Sequence, residues 1–444
     1  MPVKLIASAP RGREGAPNTE VHVNLRRRRW LLLALTSLVV VAAASVASAS
    51  THTQKVTTIT FWQTFNTQET ATLKGLIKKF EAAHPDIKVN LTYVDFSSHD
   101  QKFTTAAQAG KGPDVMRADT APDTANWAAQ GFLADLTPLI SASDNADYIQ
   151  AALAGATYQG KIWGLPHTID ALALFWNKKL LGAAGITSPP TTLSQLVSDC
   201  QKVGAGKGIA LRADSYWIQP WIWGYGGGLV SVTKKEIYVA DAKSVQGWAA
   251  YNSLFHNKCA FPDKDFANDY GNVMTAFKNG QVAMIVNGPW STSDALSGPA
   301  FKNPSNFQVS PIPKGPGGQG SPIGGGGFVI SKNSSHVQEA YTFISWLTAP
   351  AQEAVFAAKN NDLPSRVSAY SQPSVKKNRI IVQFLAQMKV ATDRSAGPQG
   401  SQLYTDFTPA MQKMLNGHAS PAAAAGSVAN VWKSKLFSGY TVVK

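Results

Sequence analysis

The chain has 444 residues, of which 44% are hydrophobic, 10% aromatic and 15% charged, and its formal net charge is +14. This composition excludes a disordered chain and a small fold held by disulfides, and the length predicts two or three compact units. The basic excess would indicate a nucleic-acid or membrane partner only if it clustered on one folded face.

The first fifty residues are typical of an export signal. Residues 26–29 form a basic block, residues 30–44 are uncharged and rich in Leu, Val and Ala, and residues 47–49 supply a small-residue cleavage site. The apolar run is shorter than the about 20 residues that a membrane-spanning helix needs. We therefore predict a signal peptide over residues 1–49, cleaved after Ala49.

An uncleaved N-terminal anchor is the alternative to cleavage, and the arginine block leaves Sec and twin-arginine export both open. No cysteine lies near the cleavage site, so we expect no lipid anchor on the exported protein. The expected location is the periplasm or the extracellular face of the cell membrane.

Removal of the leader changes the charge. The leader holds seven basic and two acidic residues, so the remaining 395 residues keep +9 of the +14. The basic residues that remain form no run longer than two, and we expect no nucleic-acid partner. The cysteines, Cys200 and Cys259, fit an oxidising compartment, but their spacing leaves a disulfide and two buried free thiols equally open.

Hydrophobic patterning in the mature chain alternates between strands and helices. Residues 57–62 have the composition of a buried strand, residues 73–80 carry apolar side chains at helical spacing, and residues 87–93 alternate as a second strand. This order predicts a right-handed crossover in a parallel sheet. Because the pattern recurs with a strand at 171–177 and a helix over about 193–203, we predict two α/β lobes.

Motifs for metal, phosphate or nucleophilic chemistry are absent from the sequence. There is no H-E-x-x-H, no G-x-S-x-G and no Cys/His cluster with metal-ligand spacing. Residues 315–320 match G-x-G-x-x-G, but glycines and Pro322 follow where a phosphate-binding loop has a helix. We therefore expect neither a cofactor nor a metal.

Aromatic residues concentrate in turn-rich segments. Five of them fall within ten residues, namely Tyr216, Trp217, Trp221, Trp223 and Tyr225. Asp214 precedes this cluster, Trp62 ends the first predicted strand, and Trp290 follows a Gly-Pro turn. Sugars present apolar C–H faces that stack on flat rings and hydroxyl groups that bind carboxylates and amides, so this combination predicts saccharide binding.

Short segments along the mature chain occur in an order and spacing specific to one family. They are residues 59–62, 80–85, 112–115, 131–138, 164–178, 276–290 and 327–331, with a helix from 336 to 347. Through them the chain resembles the family 1 extracellular solute-binding proteins of bacterial ABC importers, within the maltose-binding branch. The resemblance implies an α/β, two-lobed periplasmic-binding-protein-like fold, with hinge strands between the lobes and the ligand cleft at their interface.

In that family the chain crosses the hinge repeatedly. The resemblance implies that residues 50–168 form the first part of lobe 1 and residues 169–300 the first part of lobe 2. Residues 301–348 would then return to lobe 1, and residues 349–444 would return to lobe 2 and add the C-terminal helices.

The resemblance also implies which residues bind the ligand. Asp170 takes the place of an acidic residue that binds sugar hydroxyls, Asp214 and Tyr216 resemble an acidic and aromatic pair, and Trp290 matches a stacking tryptophan. The full candidate set is Trp62, Gln63, Asn66, Asp119, Asp170, Asp214, Tyr216, Trp217, Trp221, Trp290 and Tyr404.

The chain departs from the maltose-binding branch in two loops of the first lobe. Phe65, Asn66 and Thr67 replace acidic and basic side chains, and residues 117–120 lack a tryptophan and an Asp-Arg pair. A sugar is therefore the expected ligand, without assignment to maltose itself.

We thus expect a non-enzymatic, monomeric receptor that captures a carbohydrate such as a maltose-type oligosaccharide and delivers it to the membrane subunits of an ABC permease. A receptor for a polyol or a glycerol phosphate is one alternative. A secreted glycoside hydrolase, with two carboxylates about 5–9 Å apart, is the other.

Overall fold

The computed structural model describes residues 55–392 and 397–444. The predicted signal peptide and its cleavage site lie outside these residues. Within the described ranges, no helix has both the length and the apolar character that crossing a membrane requires.

A mixed sheet forms the core of the first lobe. Its strands, in spatial order, are Ile87–Tyr93, Thr57–Gln63, Val115–Ala118, Gly327–Ile330 and Gly164–Pro166. Thr57–Gln63 pairs in parallel with both of its neighbours, as predicted for Ile87–Tyr93, so the carboxyl ends of the three strands meet at one edge. The helices of this lobe are Thr67–Ala83, His99–Gln108, Ala121–Ala129, Ala142–Asp147, Gln150–Gly155, Val337–Leu347 and Pro350–Asn360.

The start and the buried face of the first helix, Thr67–Ala83, are set by its own sequence. The Asn66 side chain accepts hydrogen bonds from the N–H groups of Gln68 and Glu69, and the Glu69 carboxylate accepts one from the N–H of Asn66. This capping box fixes the start of the helix. The apolar stripe predicted from the sequence, from Leu73 to Phe80, is buried against the sheet.

A second sheet forms the core of the second lobe. Its strands, in spatial order, are Phe307–Ser310, Ala173–Asn177, Met284–Asn287 and Ile209–Ala210. The helices of this lobe are Lys178–Ala183, Leu193–Val203, Ser215–Gly224, Ala242–Phe255, Asp269–Lys278, Thr292–Leu296, Pro373–Lys376, Arg379–Met388, Leu403–Leu415 and Pro421–Val431. The remaining short strands, outside the two sheets and the crossing strands, are Thr157–Tyr158, Lys161–Ile162, Val230–Ser231, Glu236–Ile237 and Thr441–Val442.

The expected return to the first lobe at residue 301 begins too early. Phe307–Ser310 pairs antiparallel with Ala173–Asn177 in the second sheet. The physical reason is aromatic packing, because the Phe307 ring lies 5.0 Å from that of Phe175 in the second-lobe core.

Three strands lie side by side where the chain passes between the lobes. Thr168–Ala171 is central and pairs antiparallel with Ile323–Gly324 and with Leu363–Pro364. The single strand expected at 171–177 is therefore interrupted, and Asp170 lies within the first crossing.

The third crossing at Leu363–Pro364 comes after the expected boundary at residue 349, since Pro350–Asn360 buries Phe356 in the first-lobe core. Such a narrow sheet can bend, which suits a hinge.

A disulfide joins Cys200 to Cys259, with the two Cα atoms 5.6 Å apart. It links the helix Leu193–Val203 to the loop after Ala242–Phe255 and answers the question that the sequence left open. The loop it closes spans a sequence separation of 59 residues. By loop-closure entropy, such a bond stabilises the folded chain by about 4 kcal/mol.

A buried carboxyl pair lies beside the third crossing. Asp362 immediately precedes Leu363–Pro364 and interacts with the carboxyl group of Glu69. Burial raises the pKa of Asp362 well above its usual range, and the charge of Glu69 raises it further, while the charge of Arg117 opposes both effects. Burial also raises the pKa of Glu69. The folded pair of Asp362 and Glu69 therefore retains a proton that an aspartate in the unfolded chain releases at about pH 4.

This proton makes stability depend on pH. Because folded Asp362 binds a proton that the unfolded chain has lost, the free energy of unfolding falls as the pH rises from about 4 towards the raised pKa. Asp362→Asn removes the proton and keeps the shape, so we expect the melting temperature to fall less steeply between about pH 5 and 8. Circular dichroism melts at a series of pH values measure this.

Glu353, another buried carboxyl whose pKa burial raises well above its usual range, leaves a residual slope in the variant. Asp265→Asn, at an exposed position of the second lobe, is the matched control and should keep the wild-type slope. If the melting temperature falls with pH equally steeply in Asp362→Asn and in the wild type, Asp362 and Glu69 do not share the proton.

Candidate functional site

Aromatic side chains of the second lobe form a wall around the start of one helix. The Asp214 carboxylate accepts a hydrogen bond of 2.8 Å from the N–H of Tyr216 and so caps Ser215–Gly224. The cap places Tyr216 and Trp217 in the first helical turn. The Trp290 ring lies edge-on to Trp217, with centroids 6.5 Å apart, and the Tyr404 ring lies 6.3 Å from Tyr216. We call Tyr216, Trp217, Trp290 and Tyr404 the aromatic wall.

Arg212, which the sequence reasoning missed, holds this wall together. Its Cζ lies 4.1 Å from the centre of the Trp217 ring and 4.8 Å from that of Tyr270, and its Nη2 lies 2.9 Å from Asp269 and 3.5 Å from Asp214. Burial raises the pKa of Asp214, and the charge of Arg212 opposes this. The position of an arginine two residues before the predicted acidic residue is the signal that could have revealed it.

Asp170 and Tyr216 meet at the second crossing strand. A Cβ atom at Gly324 would lie 2.3 Å from the Asp170 Oδ1 and 3.0 Å from the Tyr216 hydroxyl. Only glycine leaves room for both polar groups here, and the Tyr216 hydroxyl also donates to the carbonyl of Pro322 at 3.5 Å. The structure thus brings together Asp170 and Tyr216, two of the residues that the sequence analysis predicts as ligand contacts.

On the first lobe, a mostly buried arginine organises the loops that follow the parallel strands. Arg117 lies 3.9 Å from the centre of the Phe65 ring, donates to the Thr64 hydroxyl at 2.7 Å and forms an ion pair with Asp119. Thr64 donates to the other Asp119 oxygen at 2.5 Å. Burial lowers the pKa of Arg117, and the charges of Glu69 and other nearby carboxylates oppose this. Asp119, predicted as a ligand contact, is only 3% exposed and binds these loops to each other.

Two further candidates, Gln63 and Trp62, contact other residues of the first lobe. The Gln63 amide accepts from the N–H of Phe65 at 2.6 Å and donates to Thr70 at 3.3 Å, so it shapes the loop before the first helix. Trp62 is half-buried against a cluster of the first lobe that includes Trp127.

Trp221 is a core residue, which corrects its prediction as a ligand contact. It is 2% exposed and packs edge-on against Tyr251 at 4.8 Å. The reason is the close approach of a neighbouring helix, since a Cβ at Gly247 would lie 2.7 Å from the Trp221 carbonyl oxygen.

Asn66 connects the lobes directly. While its Oδ1 caps the first helix, its Nδ2 donates to the backbone carbonyl of Trp290 at 3.0 Å. A second contact runs parallel to it, from the Ser293 hydroxyl to the carbonyl of Asn360 at 3.0 Å. The segment carrying Trp290 is therefore tied to the first lobe at two points.

A cavity of about 170 Å³ lies beside the crossing strands. Its walls include Ala118, Thr120, the alanines of Gln150–Gly155 and the glycines at positions 324–327, and no residue of the aromatic wall. Phe328 is the one aromatic residue among those that line this cavity, whereas the aromatic wall brings together four rings of the kind that suits stacking on sugar faces.

His167 is a buried histidine of the first lobe. Its ring packs 4.6 Å from that of Phe356 and 4.9 Å from that of Phe328, just before the first crossing strand. Burial and the charge of Arg117 lower the pKa of His167 to about 3. It is therefore an uncharged core residue at neutral pH.

Comparison with known proteins agrees with this geometry. The profile of a family described as bacterial extracellular solute-binding protein matches residues 66–354, which include the first two crossings and the aromatic wall except Tyr404. The maltodextrin-binding protein MdxE of Bacillus subtilis is 24% identical over 435 residues, covering 94% of this chain and 99% of that protein. A maltooligosaccharide ABC transporter solute-binding lipoprotein of Streptococcus pneumoniae is 26% identical, covering 79% of this chain and 82% of that protein.

Solved structures show the same architecture. The GacH receptor of Streptomyces glaucescens, determined unliganded and with acarbose, superposes with a TM-score of 0.82 at 34% identity, over 86% of this chain and 99% of that one. The maltotriose-binding protein of Thermus thermophilus, bound to maltotriose, gives 0.75 at 23% identity, over 85% and 99%. The two-lobed fold and the resemblance inferred from the sequence are confirmed. The chain belongs to the bacterial extracellular solute-binding protein family.

Proposed function

We propose that the protein is the extracytoplasmic binding component of an ABC importer and captures an oligosaccharide between its lobes. The observation that carries this is the convergence of the aromatic wall with Asp170 and Asp214 where the crossing strands meet the second lobe. Flat rings fit the C–H faces of sugars, and carboxylates bind their hydroxyl groups.

A maltooligosaccharide, or a related saccharide such as acarbose, is the substrate class that we propose. The names of the relatives support it, since they refer to maltodextrin, maltooligosaccharide, maltotriose and acarbose. The polyol or glycerol phosphate alternative has less support, because Arg117 and Arg212 are each held by carboxylates and by an aromatic ring.

We propose capture without catalysis, and the structural roles of two carboxylates support this. Asp214 caps a helix and faces Arg212, and Asp119 is paired with Arg117, so both carboxylates already serve the architecture. Ligand shifts an open and closed equilibrium only through contacts that differ between the two states. A saccharide bound to both lobes would favour the closed state, which the permease then recognises.

The leader completes the proposal. We propose that residues 1–49 direct export and are removed after Ala49, which leaves a monomer without an N-terminal lipid anchor. The disulfide between Cys200 and Cys259 supports an oxidising destination.

A ligand panel tests the function. We expect maltooligosaccharides or acarbose to raise the melting temperature of the mature protein, because a ligand that binds only the folded state stabilises it. Glycerol 3-phosphate should have no effect. Chromatography of the incubated oligosaccharide should show no shorter products, whereas turnover would identify a hydrolase and contradict the proposal.

Trp290→Ala tests the aromatic wall. Loss of one stacking ring should weaken saccharide binding by about 1–3 kcal/mol, measured by isothermal titration calorimetry, while the circular dichroism spectrum is retained. Trp346→Ala removes a half-buried indole from the first lobe and is the control, with wild-type affinity expected. Unchanged affinity in Trp290→Ala would remove Trp290 from the site.

Asn66→Asp tests the contact between the lobes. Aspartate caps a helix as well as asparagine does, but it replaces the Nδ2 donor with an oxygen that faces the Trp290 carbonyl. Because one hydrogen bond contributes about 0.5–1.5 kcal/mol, we expect saccharide to dissociate several-fold faster, as measured by stopped-flow fluorescence.

The same change at Asn303, which caps Pro304–Asn306 on the second lobe, is the matched control. It should leave the dissociation rate at the wild-type value. A wild-type rate in Asn66→Asp as well would show that the contact does not stabilise the bound state.

A further inference from the structure

Exposed aromatic side chains mark a second region near the cleft. Among the described residues, the large aromatic side chains with more than a third of their surface exposed are Tyr93 at 59%, Phe96 at 57% and Tyr270 at 37%. Tyr270 borders the aromatic wall through Arg212. Tyr93 and Phe96 lie on the first lobe, where the edge strand Ile87–Tyr93 ends.

The position of this pair is set by the sheet. Tyr93 is aligned with Gln63, the last residue of the neighbouring parallel strand, and the N–H of Val94 donates to the Gln63 carbonyl at 2.8 Å. The loop carrying Phe96 therefore leaves the sheet at the same edge as the loop carrying Thr64 and Asn66. This is the edge from which the first lobe reaches Trp290.

One face of the Phe96 ring packs against a buried histidine. It stacks on the ring of His99, with centroids 5.2 Å apart and an angle of 23° between the planes. His99 is buried, and its two ring nitrogens lie 2.5 Å from the Phe96 carbonyl and 3.1 Å from Asp123. One face of Phe96 thus rests on a fixed ring, and more than half of its surface remains open to solvent.

Direct contacts link this ring to the loops of the cleft. The His99 Nε2 lies 4.0 Å from the carboxylate of Asp119, which binds Thr64 and Arg117. The segment that contains Thr64 continues to Asn66 and its contact with Trp290. Phe96 is therefore adjacent to the network that shapes the first-lobe side of the proposed site.

We propose that Tyr93 and Phe96 form an additional stacking subsite, which we call the lobe 1 platform, for a sugar ring at the far end of a longer oligosaccharide. The inference rests on the proposed function and deepens it. A preformed aromatic ring binds a sugar face without first losing side-chain freedom, so it adds affinity only for chains long enough to reach it. The platform thus makes the receptor select for chain length.

Phe96→Ala and Tyr93→Ala test the platform in a titration series from maltose to maltohexaose. We expect affinity for the longest chains to fall about 3- to 10-fold in Phe96→Ala and that for maltose to change less than about twofold. Trp290→Ala should weaken every member of the series. Val382→Ala removes an exposed apolar side chain from the second lobe and is the control, with wild-type affinity at all lengths.

The outcomes separate the two proposals. If the wild type binds saccharides but Phe96→Ala and Tyr93→Ala lose affinity equally at all lengths, or at none, the platform is overturned and the proposed function stands. If the variants lose transport but keep wild-type affinity, Tyr93 and Phe96 would instead contact the permease, and the platform proposal is overturned. If the wild type binds no saccharide, both proposals fail.

Discussion

The proposed site depends on the neutralisation of one mostly buried positive charge. Arg117 lies between Phe65 and Asp119 and interacts with Glu69, Asp170 and Asp362. These groups come from the strand ends of the first lobe, from its first helix and from two of the crossings. A buried guanidinium without such partners would be strongly destabilising. The attraction is mutual, so Arg117 also fixes the positions of the carboxylates around it. The hinge and the first-lobe loops are therefore fixed by the same electrostatic centre.

The second lobe uses the same device. Arg212 stacks on Trp217 and is paired with Asp269, just as Arg117 stacks on Phe65 and is paired with Asp119. In each lobe, a guanidinium between a ring and a carboxylate fixes the loops that face the cleft. Because these loops are already ordered, they would lose less conformational entropy when a saccharide binds. The two arginines thus support the proposed binding surfaces, although neither is among the residues that the sequence analysis predicts as ligand contacts.

Much of the fold could be predicted from the sequence, because local patterns determine it. The apolar stripe of Thr67–Ala83, its parallel crossover and the two-lobed class all follow from hydrophobic periodicity. The lobe boundaries could not be predicted in this way, since the place of Phe307–Ser310 depends on a partner strand far away in the chain. For the proposed site, residue types led to the prediction of Asp170, Tyr216 and Trp290, but they could not distinguish Trp221, which packs in the core, or reveal Arg117 and Arg212.

The three crossings also constrain how the chain reaches its native state. Gly327–Ile330 lies in the first sheet between Val115–Ala118 and Gly164–Pro166, yet the whole first part of the second lobe separates it from them in sequence. The first sheet therefore cannot close until the chain beyond residue 330 is available, and neither lobe corresponds to a continuous stretch of the polypeptide. Such long-range pairing slows folding. During synthesis, the strands up to residue 166 would be made well before Gly327–Ile330, so the first sheet would gain its fourth strand in spatial order only after the whole first part of the second lobe had been made.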